Sequence, residues 1–210
     1  MWVDLGVVSP LNWQQCVTRS PYFPMGECIL VTGPTKSGKS EWAETLAQAS
    51  GQPVVYVATA AHRPEDADWQ ARLSIHRQRR PPAWQTLEVL EALPQTLATA
   101  KPEACWLVDS LGTWVANCLA QPDEVWAESS AELQQAIAAF PGRLIIVAEE
   151  TGWGVVPAYP SGRAFRDRLG TLTRQLGAIA KVTYLVVAGF AINLNTVGHP
   201  LPTTPETPPS

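Results

Sequence analysis

Apolar and polar positions fall in blocks along the chain. Five short runs are largely and continuously apolar: Cys28–Thr32, Val54–Ala58, Cys105–Val108, Leu144–Ala148 and Tyr184–Ala188. Runs of this length without alternation fit strands buried on both faces. Between them lie Lys39–Ala49, Trp69–Arg79, Leu111–Leu119, Ser129–Ala139 and Gly162–Ile179, whose mixed apolar and polar spacing predicts helices. Strand and helix therefore alternate. That order predicts an α/β fold, a mainly parallel sheet flanked by helices, in a single domain.

The flanks differ from this middle. Residues 1–26 hold Trp2, Trp13, Pro10, Pro21 and Pro24 without a sustained period, and read as an N-terminal extension. The domain is expected over 27–195. The stretch 196–210 is proline-rich and has no large aromatic. It can bury too little surface to offset the entropy of ordering, so a disordered tail is expected.

Composition narrows the class. At roughly 150 residues per domain, 210 residues make one domain with appendages. Apolar residues are 46% and charged residues 16%, enough for a sizeable core. The net charge of −4 disfavours nucleic acid as a partner. The longest apolar run, Val182–Ile192, is too short to cross a bilayer, and no leader-like segment opens the chain. Cys16, Cys28, Cys105 and Cys118 have no CxxC spacing, and reduced thiols are expected. A cytoplasmic protein without a membrane span follows.

The first apolar run leads into Gly33-Pro34-Thr35-Lys36-Ser37-Gly38-Lys39-Ser40, which matches G-x-x-x-x-G-K-[ST]. The two glycines let the backbone curl so that successive N–H groups face phosphate oxygens. Lys39 would reach the outer phosphates, and the Ser40 hydroxyl would bind Mg²⁺. Asp109 closes the apolar run Cys105–Val108. It reads either as an ordinary strand-end turn or, beside a phosphate loop, as the second metal ligand.

Two further stretches carry candidate chemistry. Arg72-Leu73-Ser74-Ile75-His76-Arg77-Gln78-Arg79-Arg80-Pro81 gathers four arginines around one histidine. It reads as a solvated basic helix face, or as a nucleophilic imidazole with cations to hold an anion. A free imidazole has a pKa of about 6.5, so at neutral pH it is largely unprotonated and nucleophilic. His62 and His199 read as surface and tail residues. Glu149-Glu150-Thr151-Gly152-Trp153-Gly154 follows another apolar run. It is a polar loop, or a strand-end acid pair facing a ligand, as is usual at the carboxyl ends of open α/β sheets.

Taken together, ILVTGPTKSGKSEWAE, VVYVATA, RLSIHRQRRPPAWQTLE, LVDSLGTWVANCL, EETGWGVVPAYPSGRAFRDRLG and YLVVAGFAINL resemble one family in order and spacing. It is the bifunctional adenosylcobinamide kinase / adenosylcobinamide-phosphate guanylyltransferase family of cobalamin biosynthesis. The resemblance spans about residues 28–192. It implies a P-loop NTPase-like (RecA-like) fold and a trimer. It also implies two reactions. ATP or GTP phosphorylates the aminopropanol hydroxyl of adenosylcobinamide, and GMP then passes from GTP to that phosphate through a histidine–GMP phosphoramidate. The histidine of the family's H-R-x-x-R-P stretch falls on His76. Gly33 to Ser40, Arg77, Arg80, Glu88 and Asp109 then hold nucleotide, Ser40 and Asp109 hold Mg²⁺, and Glu150 is a candidate substrate contact.

The chain departs from the family pattern at several points. Glu149 stands where Asn is common, and Thr173-Arg174 where Asn-Gln is common. Pro34, Thr35 and Lys36 replace the usual Gly-Ala-Arg, and Pro34 removes one backbone donor from the cradle. A short insertion surrounds His62–Pro64. Two other readings remain at this point. One is a small-molecule kinase without guanylyl transfer, and the other a nucleotide-binding regulatory module, which would need no nucleophile at His76.

Overall fold

The computed structural model describes residues 26–201. Cys16, nearly all of the N-terminal extension and most of the proline-rich tail lie outside them.

The sheet has seven strands: β1 (Glu27–Gly33), β2 (Val54–Ala58), β3 (Gln85–Glu88), β4 (Cys105–Asp109), β5 (Arg143–Glu149), β6 (Val182–Val187) and β7 (Phe190–Asn193). Their spatial order is β3-β2-β4-β5-β1-β6-β7. All neighbouring pairs are parallel except β6 with β7. Among the described residues there are also seven helices: α1 (Lys39–Ala49), α2 (Ala67–Arg79), α3 (Leu93–Ala98), α4 (Leu111–Asn117), α5 (Asp123–Ala138), α6 (Pro160–Ile179) and α7 (Leu194–Val197). This is the P-loop α/β fold expected from the sequence.

The central strands are apolar throughout because both of their faces are covered. Ile29, Val31, Tyr56, Leu107, Ile145 and Val147 pack with Ala43, Leu46 and Ala47 of α1. The intervening residues Leu30, Val57, Val108, Leu144 and Ile146 pack on the other side with Leu97, Trp114, Leu133, Leu169 and Leu172 from α3 to α6. Successive side chains of a strand point to opposite faces, so a continuous run fills two cores at once.

Both outer strands, and the short helices α3 and α7, were missed by the apolar pattern. β3 and β7 lie at the sheet edges and are mostly exposed, so neither needs an apolar run. β7 folds back on β6 through Ala188 and Gly189, both at positive φ (51° and 80°). A two-residue hairpin turn requires that geometry. The helix expected from Ser129 begins earlier, at Asp123, where Asp123 and Glu124 suit its positive N-terminal end. Cys28, Cys105 and Cys118 are buried free thiols.

Candidate active site

β1 ends in Gly33 and α1 begins at Lys39, so the phosphate loop spans the gap at the carboxyl end of the sheet. Gly33 has no room for a side chain: a Cβ there would lie 2.3 Å from the Val186 carbonyl oxygen. Gly38 sits at φ 92° and Lys36 at φ 60°, which gives the loop its curl. Lys39 Nζ donates to the Pro34 carbonyl across the loop at 3.3 Å.

Asp109 ends β4, one strand removed from β1, and its carboxylate joins three elements. Ser40 Oγ donates to Oδ1 at 3.4 Å, and Tyr56 OH donates to Oδ2 at 2.6 Å. His76 Nδ1 lies 3.5 Å from the same Oδ2. Burial alone would raise this carboxyl, but hydrogen bonds from His76, Tyr56 and Ser40 hold it below the usual carboxylate range. Ser40 Oγ and Asp109 Oδ1 are hard oxygen donors side by side, which suits Mg²⁺.

His76 rides on α2, a helix that buries none of its residues. Polar contacts hold this helix in place. The Asp66 side chain caps its first turn, and Trp69 Nε1 donates to the Ala61 carbonyl at 2.9 Å. Arg79 reaches across to α1, at 2.8 Å from Glu41 and 3.1 Å from Glu44. The same guanidinium lies 3.3 Å from His76 Nδ1. Side-chain ligand atoms of Glu44, His76 and Asp109 all fall within 4.8 Å of one another. Sequence reasoning counted Arg79 only as one of four arginines around His76, and it passed over Tyr56. The His76–Arg79 spacing of three on a helix was an available signal. Tyr56 had none, being one apolar-run residue among many.

The remaining candidates fall as follows. Arg80 stacks over the Tyr56 ring, 3.6 Å from its centroid. Arg77 pairs with Glu88 at 3.4 Å in an exposed position. The two adjacent acids part company. Glu150 accepts from Thr32 Oγ1 at 2.8 Å. Glu149 accepts from Ser110 Oγ through Oε1, and from the Gly112 N–H through Oε2 at 2.9 Å. A cavity of about 410 Å³ unites Thr35 to Ser40 with Tyr56, His76, Arg77, Arg80, Glu88, Asp109 and Glu149. Gly33, Pro34 and Glu150 do not line it.

A phosphate loop, a carboxylate beside its serine and a histidine in one cavity define a P-loop nucleotide-binding α/β enzyme. The chain belongs to the cobinamide kinase / cobinamide phosphate guanyltransferase family, whose model matches residues 29–194. It is 38% identical over 174 residues to the bifunctional adenosylcobalamin biosynthesis protein CobP of Pseudomonas aeruginosa, covering 82% of this chain and 98% of that protein. It is 37% identical over 182 residues to the corresponding CobU protein of Escherichia coli, covering 79% and 98%. The CobU protein of Salmonella typhimurium is 35% identical with the same coverage. The flagellar accessory protein FlaH of Methanocaldococcus jannaschii superposes with a TM-score of 0.48 at 15% identity, over 87% of this chain and 81% of that one.

Proposed function

We propose that this protein phosphorylates the aminopropanol hydroxyl of adenosylcobinamide with ATP or GTP, then transfers GMP from GTP to the new phosphate through His76. The observation that carries this reading is the 3.5 Å approach of His76 to Asp109, which itself bonds Ser40 of the phosphate loop. A nucleophile and a phosphate cradle thus share one cavity. A switch module would need only the cradle.

In the kinase half, the loop amides and Lys39 bind the outer phosphates. Ser40 and Asp109 would hold Mg²⁺, which would neutralise charge on the phosphates. In the transferase half, an imidazole nitrogen of His76 attacks the α-phosphorus of GTP and pyrophosphate leaves. The corrinoid phosphate then attacks the same phosphorus and frees the histidine. Arg77, Arg80 and Glu88 surround the cavity on the His76 side and steady the nucleotide.

Incubation with Mg²⁺ and α-labelled GTP tests the transferase half. A protein label that is lost in acid, survives base and is absent in His76→Ala is expected. No label in a protein that binds GTP would overturn guanylyl transfer and leave a kinase. Phosphorylation of adenosylcobinamide tests the other half.

The assembly follows the family as a homotrimer. Exposed Phe190 and Ile192 on the edge strand β7 supply apolar surface for such contacts, and light scattering reads the mass. A cytoplasmic location fits a biosynthetic enzyme. No described helix is long and apolar enough to cross a membrane.

A further inference from the structure

A neutral imidazole carries its proton on one nitrogen and a lone pair on the other, and the hydrogen bond at one nitrogen decides which. The geometry points to Nε2 of His76 as the atom that takes GMP, with Asp109 as the positioning residue that keeps the proton on Nδ1. This rests on the transferase half of the function proposed above. It gives the Asp109 carboxylate a second task beside the metal.

The two ring nitrogens have different surroundings. Nδ1 lies 3.5 Å from Asp109 Oδ2 and 3.3 Å from Arg79 Nη2. A phosphorus bonded at Nδ1 would need the room that these groups occupy, and its oxygens would meet the Asp109 charge. Among the described residues, the polar contacts of His76 are all made through Nδ1. The ring lines the same cavity as Thr35 to Ser40, so Nε2 is the nitrogen left for the nucleotide.

The two partners of Nδ1 select opposite tautomers. Asp109 can only accept and favours a proton on Nδ1. Arg79 can only donate and favours a bare Nδ1, which would leave Nε2 without a lone pair. Arg79 is matched elsewhere, Nη1 by Glu41 and Nη2 by Glu44. Burial would raise the Asp109 carboxyl, but hydrogen bonds led by that of His76 hold it low, so the acceptor is ionised. The 3.5 Å contact is long, as catalytic hydrogen bonds often are before substrate binds. The carboxylate divides its work between its oxygens. Oδ1 accepts from Ser40 on the metal side, and Oδ2 accepts from Tyr56 and faces His76.

The step balances without another base. The Nε2 lone pair bonds to the α-phosphorus of GTP, the bond from that phosphorus to the bridging oxygen breaks, and pyrophosphate leaves with the pair. The ring then holds GMP on Nε2, the proton on Nδ1 and a positive charge against Asp109. A corrinoid phosphate oxygen bonds to the same phosphorus, and the breaking Nε2–P bond returns its pair to the ring.

Two measurements on the full-length wild-type protein test this. In the first, protein labelled with α-labelled GTP and Mg²⁺, without corrinoid, is stripped of guanosine by periodate and base and then hydrolysed in alkali. The label should run as Nε2-phosphohistidine, and label on Nδ1 would overturn the assignment. In the second, nitrogen NMR at about pH 8 reads the His76 tautomer of the protein without nucleotide or metal, with His76→Gln to identify the signal. The proton should sit on Nδ1, and a proton on Nε2 would overturn the role of Asp109. Asp109→Ala removes the acceptor, so Arg79 should make Nδ1 an acceptor and the proton should shift to Nε2. An unchanged tautomer in that variant would overturn the same role, and should it not fold, the wild-type tautomer decides. A wild-type protein that binds GTP and takes up no label would overturn guanylyl transfer itself, which is a separate result.

Discussion

The hydroxyl of Tyr56 donates a 2.6 Å hydrogen bond to Asp109 Oδ2, the oxygen that faces His76. Burial and the neighbouring Asp109 push the Tyr56 phenol far above its ordinary range, so it remains a donor wherever the protein is folded. Tyr56→Phe keeps the ring under Arg80 and removes the hydroxyl that bonds Asp109. Loss of a bond to a buried carboxylate costs about 1.5–3 kcal/mol. Thermal denaturation should show a Tm lower by roughly 3–12 °C for a chain of this size. GMP labelling of His76 should slow while GTP binding changes little. An unchanged labelling rate would mean that Tyr56 does not hold the carboxylate for His76.

Arg79 ties α2 to α1 through Glu41 and Glu44. Because α2 buries no residue, this fork is a main attachment of the helix that carries His76. Burial raises the Glu44 carboxyl, and Arg79 acts against that rise, so the buried carboxylate depends on its partner. Arg79→Met should cost about 2 kcal/mol. Hydrogen exchange in 67–79 should speed up ahead of the central strands, and His76 labelling should fall. Unchanged protection in α2 would show that other contacts suffice to dock it.

The central sheet and the phosphate loop were legible in the sequence because each has a local signature. A strand buried on both faces must be apolar throughout, and a phosphate cradle needs glycines at fixed spacing. The edge strands carried no such mark. Gln85–Glu88 and Phe190–Asn193 pair on one side only, and their side chains are largely exposed. Within the site, His76 and Asp109 stood out by residue type and by resemblance. Tyr56 and Arg79 did not, because their roles come from cross-sheet and cross-helix distances that spacing along the chain does not encode. The acid pair shows the limit most clearly. Adjacent strand residues point to opposite faces, so only the structure tells which of Glu149 and Glu150 meets the cavity.

The three described cysteines should be inert in the folded protein. Burial, with Glu27 adding to it, pushes the Cys28 thiol up to about 12. Burial pushes Cys105 and Cys118 up to about 11 each. Thiolate is the reactive form, so almost none is present at pH 8. In a Cys16→Ser background, a disulfide reagent such as Ellman's should find no thiol in the native protein and three after denaturation. Reaction of a native thiol at a rate typical of free cysteine would show that the core opens readily.

Glu27 and Arg143 form a buried ion pair at 3.0 Å where β1 and β5 begin, at the end of the sheet away from the phosphate loop. Removing the carboxylate with Glu27→Ala takes away the counter-charge of a buried guanidinium, which costs about 3–5 kcal/mol. Denaturant unfolding should show that loss. At low temperature, where the variant is still folded, His76 labelling and kinase rates should match wild type. A selective loss of one activity would mean that the base of the sheet is coupled to the site.

Glu149 should trade stability for its place in the cavity. Its folded-state carboxyl is raised, chiefly by burial, so the folded protein favours the protonated form. The stabilising contribution is then full below the ordinary carboxylate range and is lost as pH rises through the folded value. At neutral pH the ionised group is therefore a net cost. Glu149→Gln mimics the protonated form. Its amide oxygen can accept from Gly112, and its NH₂ can donate to Ser110. The variant should melt higher than wild type at pH 7–8, by about 2–4 °C for each kcal/mol recovered. The gain should shrink toward pH 4, where wild-type Glu149 itself takes up a proton. A variant that melts lower than wild type across this range would show that the carboxylate stabilises the fold, and would remove the physical basis for its raised basicity.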